Sequence, residues 1–506
     1  MNVVTNIGRM LSNRALLSPS MEGFVGEEYR YSFQEVNERS NRFAAFLKEN
    51  SVAYGDRIAI LCKNNEHATT AMFAAAKIGV ITVFLNWRLV ARELTYVLSD
   101  CGASLLLYDS EFSETVNQIR DEIPAKIFVR VGNTNTQQDE EFEDILRRMP
   151  AGEPEIIGGD EDPAVILYTS GTTGRPKGAI LTHSNCFWVP MGHTYTIEWR
   201  HNYRFLCVSP LFHVGGLAPI MTNVAIGCTT VYVPNFDPSK VWNLITTEKI
   251  NLSMTAPAML QFMLMVPGID KMDFSSIKHI VCGGSAVPRN LIETYNNLGI
   301  KITQVYGITE YSGAVTFWSH DMGIDKSNSV GKPVFYGQVR ICDPHSREEM
   351  PIGEIGEICC SGPQVFKGYW GNPKATDEVL ENGYYRSGDL GKKDKDGFIY
   401  VVDRLKDMIV SGGENIYSAE LELAIKRHPG VAEVAVVGKA DNKWGEIPVA
   451  FVVKKQGEKV SEQDIINICR ENLAGYKRVK EVRFVDSLPK NALMKVLKQK
   501  LREQLK

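Results

Sequence analysis

Residues 164–181 read Ala-Val-Ile-Leu-Tyr-Thr-Ser-Gly-Thr-Thr-Gly-Arg-Pro-Lys-Gly-Ala-Ile-Leu, and this stretch decides the fold. The apolar run Ala164–Leu167 predicts a buried strand that enters a loop, and Ala179–Leu181 predicts the strand that leaves it. Glycines in the loop let backbone N–H groups crowd around an anion, hydroxyls add donors, and Arg175 and Lys177 add charge. The loop is therefore predicted to bind a polyphosphate. A Walker A loop is excluded, because glycine and not serine or threonine follows the lysine.

The composition is that of an ordinary soluble globular protein with more than one domain. The chain has 506 residues, which exceeds the size at which a single core keeps growing. Its formal net charge of −4 provides no positive field, so nucleic-acid partners are excluded. The ten cysteines contain no Cys-x-x-Cys pair, a usage typical of reduced thiols, and a cytoplasmic location is predicted.

No transmembrane segment is predicted. Residues 205–236 carry no Asp, Glu, Lys or Arg, but prolines and glycines interrupt them, whereas a spanning helix needs about 20 predominantly apolar residues. A buried strand, a glycine turn and a core helix are predicted there. The last 30 residues hold ten basic side chains against three acidic ones. This run predicts a solvated helix face, with peripheral contact to an anionic membrane surface as the alternative.

Amphipathic helices alternate with short apolar runs before Val334, as in helix Phe33–Glu49 followed by strand Arg57–Cys62. This alternation is typical of α/β architecture with largely parallel sheets. Residues 132–162 are acidic and contain glycine and proline, so we predict a surface excursion there. From Val334 the pattern becomes β-rich, and a helix and strands after the charged connector Asp403–Asp407 predict a compact second domain. The boundary is predicted near Asp403.

Three further segments carry side chains suited to a nucleotide. Tyr306–Glu310 offers an aromatic ring for a base, a hydroxyl for a phosphate and a carboxylate for Mg²⁺. Asp389 follows a predicted tight turn, and its carboxylate suits ribose hydroxyls. Gly284, within Cys282–Ser285, offers backbone that can pack flat against a purine. The order and spacing of these segments and the phosphate loop predict a single nucleotide site.

With these motifs the chain resembles the adenylate-forming superfamily of acyl-CoA synthetases, nonribosomal adenylation domains and beetle luciferases. The resemblance covers nearly the whole length and extends to Pro210–His213, Asp403–Asp407, Gly412–Ile416 and the region around Lys495. Within the superfamily the chain is most similar to the bacterial fatty-acyl-CoA synthetases, because residues 403–417 and Lys443–Glu446 closely resemble the corresponding motifs of those enzymes.

The resemblance implies an α/β fold with two domains. Residues 1–402 would form a large N-terminal adenylation domain of layered α/β subdomains with a β-rich subdomain. Residues 403–506 would form a small mobile α+β C-terminal lid, with a hinge at 403–407. The implied activity is that of an AMP-forming acid–thiol ligase. A carboxylate attacks the α-phosphate of ATP, giving acyl-adenylate and pyrophosphate, and the thiol of coenzyme A then displaces AMP.

The implied acid is a medium- or long-chain fatty acid, which places the enzyme in fatty acid and lipid metabolism. ATP and coenzyme A would be co-substrates and Mg²⁺ the cofactor. The residues implied to bind ATP are Ser170, Thr172, Thr173 and Lys177 at the β- and γ-phosphates, Thr309 at the α-phosphate, Asp389 and Arg404 at the ribose, and Tyr306 and Gly284 at the adenine.

The remaining implied roles concern the metal, the chemistry and the acid. Glu310 would bind Mg²⁺, and Lys495 would bridge the carboxylate and the α-phosphate in the first step. Lys406 would be the hinge residue. The implied loop for coenzyme A and thioester formation consists of Gly412, Gly413 and Glu414, and the implied acyl-pocket residues are His213 and Gly313.

One segment departs from the family pattern. The lysine usually follows a glycine in a turn, whereas Asn491–Lys495 places Met494 and other helix formers there. Helix formers at turn positions predict a stiffer loop or an earlier helix, and hence slow adenylation or an altered variant. An ordinary solvated lysine is the alternative reading of Lys495. For His213 the alternative is a satisfied core histidine, and the small Gly313 would equally serve helix–sheet packing.

Several functions stay open beside the leading one. The nearest is an aryl-acid CoA ligase, acting on a benzoate-, cinnamate- or succinylbenzoate-like acid, because the nucleotide motifs carry no information on the acid. Others are an enzyme that loads a carrier protein, an oxygen-dependent luciferase, and a non-catalytic nucleotide-binding protein. The acid chain length, the pathway and the oligomeric state are left open by the sequence.

Overall fold

The computed structural model describes residues 4–132, 139–169, 175–411, 414–473, 477–491 and 495–505. The strands, in chain order, are β1 (Glu22–Val25), β2 (Arg30–Ser32), β3 (Arg57–Leu61), β4 (Ile81–Phe84), β5 (Leu105–Asp109), β6 (Ile127–Val131), β7 (Glu140–Glu141), β8 (Pro163–Thr169), β9 (Lys177–Thr182), β10 (Arg204–Cys207), β11 (Thr229–Tyr232), β12 (Leu252–Thr255), β13 (His279–Gly283), β14 (Lys301–Ile308), β15 (Gly313–Trp318), β16 (Lys332–Pro333), β17 (Gln338–Cys342), β18 (Gly356–Ser361), β19 (Gly368–Tyr369), β20 (Leu380–Glu381), β21 (Tyr384–Lys393), β22 (Ile399–Arg404), β23 (Ile409–Ser411), β24 (Glu414–Ile416), β25 (Val431–Asp441), β26 (Gly445–Lys454) and β27 (Glu481–Phe484).

The α-helices, in the same order, are α1 (Ile7–Leu17), α2 (Phe33–Glu49), α3 (Glu66–Lys77), α4 (Ala91–Cys101), α5 (Ser113–Ile119), α6 (Phe142–Arg148), α7 (His183–Thr194), α8 (Val214–Ile226), α9 (Pro238–Thr247), α10 (Pro257–Leu264), α11 (Arg289–Asn297), α12 (Pro373–Asp377), α13 (Ser418–Ile425), α14 (Glu462–Asn472) and α15 (Lys498–Glu503). Short 3₁₀ turns occupy Ser110–Phe112, Arg120–Glu122, Ile269–Lys271, Thr309–Tyr311, His320–Met322, Ile324–Lys326 and Leu405–Asp407.

Two large sheets form the framework of the first compact unit, which comprises residues 1–339 and 360–385. One sheet has nine strands in the order β16-β15-β14-β13-β12-β10-β11-β1-β2, and the other has eight in the order β19-β9-β8-β4-β3-β5-β6-β7. Strands β10 to β14 are mutually parallel, as are β3 to β6 and β8 with β4. Parallel strands linked by helices confirm the predicted α/β fold class.

The second compact unit comprises residues 340–359 and 386–506. Its C-terminal sheet has the order β24-β23-β26-β25, with β27 beside β26, and α13 and α14 cover an apolar core that includes Leu421 and Ile465. The unit extends beyond the predicted C-terminal domain, because β21 and β22 pair in antiparallel register up to Asp389 opposite Arg404. A boundary at Asp403 would separate the last residues of β22 from their partners in β21.

Local sequence explains where the helices begin. Ser32 accepts a hydrogen bond from the Glu35 backbone and the Glu35 carboxylate bonds back to Ser32, so α2 begins at Phe33 as predicted. Thr182 and Asn185 cap α7 in the same way, so this helix begins at His183. Residues 205–236 form β10, α8 and β11, which confirms the strand, helix and glycine turn predicted there.

The surface excursion predicted for residues 132–162 is wrong for part of its length. Helix α6 lies within it, and Phe142, Ile145 and Leu146 are buried. These apolar side chains recur at helical spacing and pack toward α2, so they outweigh the acidic composition on which the prediction rested.

Lys77, at the end of α3, is a buried charge that joins distant parts of the chain. Its ammonium donates to Ser12 Oγ at 2.8 Å, to the Oδ1 atoms of Asn37 and Asn41 at 2.7 Å each, and to Glu153 Oε1 at 2.5 Å. Burial lowers the pKa of Lys77 to about 8. Three helices and the segment before β8 therefore meet at one ammonium group.

Among the described residues, no helix combines the length and the apolar character needed to cross a membrane.

Candidate active site

A chain of three side chains connects the phosphate loop to the predicted metal ligand in the first unit. The ammonium of Lys177, at the start of β9, lies 5.1 Å from the centroid of the Tyr369 ring. The Tyr369 hydroxyl donates a hydrogen bond of 2.7 Å to Oε1 of Glu310. Burial and the Glu310 carboxylate raise the pKa of Tyr369, so its hydroxyl stays protonated and available as a donor. Lys177 and Glu310 are thus brought together by a residue that sequence reasoning missed.

The backbone around Glu310 holds this carboxylate in place. β14 has an irregular register between Tyr306 and Gly307, and a 3₁₀ turn over Thr309–Tyr311 follows it. Ser312 ends the turn at φ +55°, and the Phe366 N–H donates to the Glu310 carbonyl at 2.9 Å. The Glu310 side chain is buried as a result, while Tyr306 and Thr309 stay partly exposed beside it. This places the base, phosphate and metal residues of one predicted segment at the end of one strand.

Gly284 lies directly after β13, the strand parallel to β14. Its φ of +79° favours glycine, and a Cβ at this position would meet no atom within 4 Å. The backbone at Gly284 is therefore exposed and open in front, as the predicted approach to a flat base requires.

His213 is the residue before α8, and its ring contacts Phe212 at a centroid distance of 4.5 Å. Within the described residues, its buried Nε2 atom has no hydrogen-bond partner. Burial, with a smaller effect of Arg88, lowers the pKa of His213 to about 4, so the imidazole is neutral near pH 7. A satisfied core histidine would have a partner for Nε2, so the structure does not support that alternative for His213.

Gly313 begins β15 with φ +134°, and a Cβ there would lie 3.3 Å from Cβ of Ala218 in α8. Glycine at this position allows α8 and β15 to approach each other, as expected if Gly313 serves the packing of helix against sheet. Gly216 is tighter still, since a Cβ would lie 2.2 Å from the Pro210 carbonyl oxygen. At Gly215, however, the nearest atom would be Met254 Sδ at 3.8 Å, an ordinary contact.

In the second unit, Asp389 and Arg404 face each other across β21 and β22. Nε of Arg404 lies 3.2 Å from Oδ1 of Asp389. A tight turn was predicted before Asp389. The structure instead has strand β21 there, and the strand bends at Gly388, whose φ is +69°. The two predicted ribose residues therefore form a pair whose polar atoms point the same way from adjacent strands.

Lys495 lies in the same unit and feels both members of that pair. Burial and the nearby positive charge of Arg404 lower the pKa of Lys495 to about 8, against an opposing effect of Asp389 and Asp407. The Asn491 N–H donates to the Lys495 carbonyl at 2.8 Å, and Lys490 forms an isolated antiparallel β-bridge with Val496. α15 begins only at Lys498, so the earlier helix start considered for this segment is not found, although residues 492–494 lie outside the described ones.

The predicted hinge is a 3₁₀ turn over Leu405–Asp407. Arg502 donates to the Lys406 carbonyl at 3.2 Å and to Asp407 Oδ1 at 2.6 Å. Burial, followed by the charge of Arg404, lowers the pKa of Lys406. Glu414 is an exposed residue at the start of β24, opposite Ser411.

Five predicted residues lie outside the described part of the chain: Ser170, Thr172, Thr173, Gly412 and Gly413.

The basic C-terminal run forms ion pairs with acidic side chains of the same unit. Five of its side chains bind acids in the second unit: Lys477 with Glu420, Arg483 with Glu481, Lys490 with Glu433, Lys498 with Glu422, and Arg502 with Asp407. These pairs neutralise part of the charge that suggested an anionic surface as partner.

A profile described as AMP-binding enzyme matches residues 11–370, and one described as AMP-binding enzyme C-terminal domain matches residues 420–495. The long-chain-fatty-acid–CoA ligase FadD13 of Mycobacterium tuberculosis is 37% identical over 505 residues, with 99% of this chain and 98% of the relative covered. A feruloyl-CoA synthase of an Amycolatopsis species is 37% identical over 507 residues, with 98% and 99% covered.

Among solved structures, the O-succinylbenzoate coenzyme A synthetase of Bacillus subtilis in complex with ATP and magnesium ion superposes with a TM-score of 0.85. It is 32% identical, and the match covers 98% of each chain.

The chain belongs to the AMP-binding enzyme family, that of the adenylate-forming acyl-CoA synthetases. It is an AMP-forming acid–CoA ligase, with ATP and coenzyme A as co-substrates.

Proposed function

We propose that this enzyme joins a medium- or long-chain fatty acid to coenzyme A through an acyl-adenylate, with release of pyrophosphate and then AMP. The relative that acts on long-chain fatty acids matches along the whole chain, which supports the proposal. The carrying observation is the apolar character of α8. This helix has no charged residue, and a Cβ at Gly215 would make only an ordinary contact, 3.8 Å from Sδ of Met254.

The nucleotide roles are proposed residue by residue. In the first unit, Lys177 would contact the β- and γ-phosphates together with Ser170, Thr172 and Thr173, and Thr309 would contact the α-phosphate. Tyr306 and Gly284 would lie against the adenine. In the second unit, Asp389 and Arg404 would hold the ribose hydroxyls. A carboxylate beside an arginine on adjacent strands suits the paired hydroxyls of a ribose, because it accepts while the guanidinium donates.

The metal role falls on Glu310. Its carboxylate fits Mg²⁺, because hard oxygen donors are the ligands this ion prefers and Tyr369 already orients the group. When bound, Mg²⁺ neutralises charge on the phosphates. Lys495 would place a positive charge between the acid carboxylate and the α-phosphate. The carboxylate oxygen then forms its bond to phosphorus as the bond to pyrophosphate breaks.

The second step is assigned to the segment Gly412–Glu414, with Lys406 as the hinge. Lys406→Pro should slow thioester formation more than adenylation, measured with supplied acyl-adenylate and coenzyme A against pyrophosphate exchange. If Lys406→Pro slowed both half-reactions by the same factor, Lys406 would not be the hinge.

The test of the acid is a pyrophosphate-release screen with and without coenzyme A. Linear acids from hexanoate to stearate should exceed benzoate, cinnamate, ferulate and succinylbenzoate in kcat/KM. Gly215→Leu adds a bulky side chain in front of Met254 and should move the preference to shorter acids. The surface change Gly371→Ala, where a Cβ meets no atom within 4 Å, is the control. A preference for the aromatic acids would overturn the proposal.

An aryl acid is the second candidate, favoured by one observation. The feruloyl-CoA synthase relative is as similar in sequence as the fatty-acid ligase, at 37% identity for both. The same screen decides between the two, since it contains both classes of acid.

A further inference from the structure

A polar cavity lies in the first unit, away from every residue assigned to the reaction. Its volume is 190 Å³, and most of its lining is polar. We call it the distal cavity and define it by six of its lining residues: Glu198, Lys278, His279, Lys301, His320 and Asp321.

The distal cavity lies at the opposite end of the strands that lead to the nucleotide residues. β13 begins at His279 and β14 begins at Lys301, in parallel and in register, whereas Gly284 and Thr309 follow the far ends of these strands. β15 runs back antiparallel to β14, and His320 lies just beyond its end. Strands of five to eight residues separate the two ends by about 20 Å.

Two imidazoles in this cavity have buried nitrogen atoms without partners. Nε2 of His279 lies 2.7 Å from the Glu198 carbonyl oxygen, so Nε2 carries the proton and Nδ1 carries the lone pair. Within the part of the chain that the structure describes, Nδ1 of His279 and Nε2 of His320 have no hydrogen-bond partner. His279 is only 5% exposed. Buried polar atoms are nearly always paired, so both rings point to a missing partner.

The charges around the cavity favour an anion. Lys278 directly precedes β13 and Lys301 begins the neighbouring β14, and both are exposed enough to turn toward a ligand. The charge of Glu198 is compensated in part, because its Oε1 accepts from the Tyr203 hydroxyl at 2.6 Å and lies 3.3 Å from Nε of Arg200. Asp321, beside His320, is the remaining acid of the lining, against two lysines.

We propose that the distal cavity binds a small phosphate-class anion, inorganic phosphate or a compact phosphomonoester. Phosphate fits because a single molecule can both donate, through P–OH, to the His279 lone pair and accept from two ammonium groups. Sulfate offers only acceptors near neutral pH, and is bound well only when His279 is protonated.

Protonation and binding are linked at this site. Burial is the main cause that lowers the pKa values of His279 and His320, and Lys301 adds to it, whereas Glu198 acts in the opposite sense on His279 and Asp321 on His320. An anion between the lysines would raise both pKa values. Sulfate affinity should therefore fall as pH rises from 6 to 8, and phosphate affinity should fall less.

The experiment is a phosphate and sulfate titration of the full-length enzyme, followed by the NMR signals of its nine histidine rings. Two signals should shift with millimolar phosphate, and His320→Asn identifies one of them. Lys278→Ala and Lys301→Ala should each weaken this binding about fivefold, the effect of one exposed charge pair. Both lysines are exposed, so these variants should fold.

Two controls make the result specific. Lys271→Ala removes an exposed lysine outside the cavity and should leave the titration unchanged. Lys177→Ala removes the phosphate-loop lysine, so shifts that persist in this variant come from the distal cavity. Unmoved histidine signals would overturn the proposal, as would equal affinity in the wild type and in Lys278→Ala and Lys301→Ala, or loss of all shifts in Lys177→Ala.

Discussion

The lowered pKa of Lys495 makes the adenylation half-reaction sensitive to alkaline pH. Only the ammonium form can place a positive charge beside the α-phosphate, and the pKa of this group is about 8 rather than its usual 10.5. The protonated fraction is then about 0.9 at pH 7 and about 0.1 at pH 9. The rate of acyl-adenylate formation should fall about tenfold over this range. A solvated lysine would stay protonated and produce no such fall.

The assay is ATP–pyrophosphate exchange with acid and Mg·ATP below saturation, from pH 6.5 to 9.5 and without coenzyme A, because the rate then follows kcat/KM and reports the pKa of the ligand-free enzyme. Coenzyme A is omitted because thiols titrate with pKa values of about 8.5, which would mask the effect in the complete reaction. Arg404→Gln should move the fall to higher pH, because Arg404 is the largest charge effect that lowers this pKa.

Lys495→Arg is the decisive variant. A guanidinium stays charged throughout this range, so the profile should be flat whatever its height. Lys500→Ala, at an exposed position of α15, should keep the wild-type profile, and Lys406→Arg tests the neighbouring lysine of the same unit whose pKa is also lowered. A wild-type rate that is constant from pH 7 to 9, or a tenfold fall that survives in Lys495→Arg, would refute the reasoning.

Three further changes test other parts of the structure. Tyr369→Phe removes the 2.7 Å bond to Glu310 and should lower kcat/KM for Mg·ATP about tenfold, the value of a hydrogen bond to a charged group, in a pyrophosphate-release assay. Lys77 has a folded-state pKa of about 8 against 10.5, so the folded state holds fewer protons in that window and wild-type stability rises with pH across it. Relative to Lys77→Met, urea unfolding at pH 8 and 10 should show a gain of about 2 kcal/mol. Gly313→Ala places a Cβ 3.3 Å from Ala218 at a φ of +134° and should cost about 1–3 kcal/mol of stability, with unchanged acid preference.

Each of these changes has a matched comparison. Tyr384→Phe removes a hydroxyl bonded to Gln338 at an exposed site, and activity should not change. An identical pH gain in Lys77→Met would mean that other groups cause the rise. Gly371→Ala, at φ +60° with no neighbour within 4 Å, measures the backbone cost alone. A stable Gly313→Ala enzyme with a shifted acid preference would instead support the acyl-pocket role of that glycine.

Local signals made much of the fold predictable. The apolar period and the cap at Ser32 define α2 to the residue, and the strands around the phosphate loop are short apolar runs beside turn residues. The excursion at residues 132–162 was misjudged because acidic composition hid the buried spacing of Phe142, Ile145 and Leu146.

The site was less predictable, because its contacts join residues far apart in sequence. Tyr369 bonds Glu310 across 59 residues, and a tyrosine before a tryptophan carries no local mark of that role. The sequence also led us to expect Lys495 as either a functional or a solvated lysine. Its pKa is lowered first by burial and then by Arg404 of β22, about ninety residues earlier in the chain.

The ammonium of Lys77 has a consequence for the order in which the chain can fold during synthesis. Its partners lie at Ser12, Asn37, Asn41 and Glu153, so the first three helices cannot bury this charge with its counterion until Glu153 has left the ribosome. The N-terminal strands wait longer, since β1 pairs in parallel with β11, some two hundred residues later. The beginning of the nascent chain should therefore remain accessible to chaperones and proteases until nearly half of the protein has emerged.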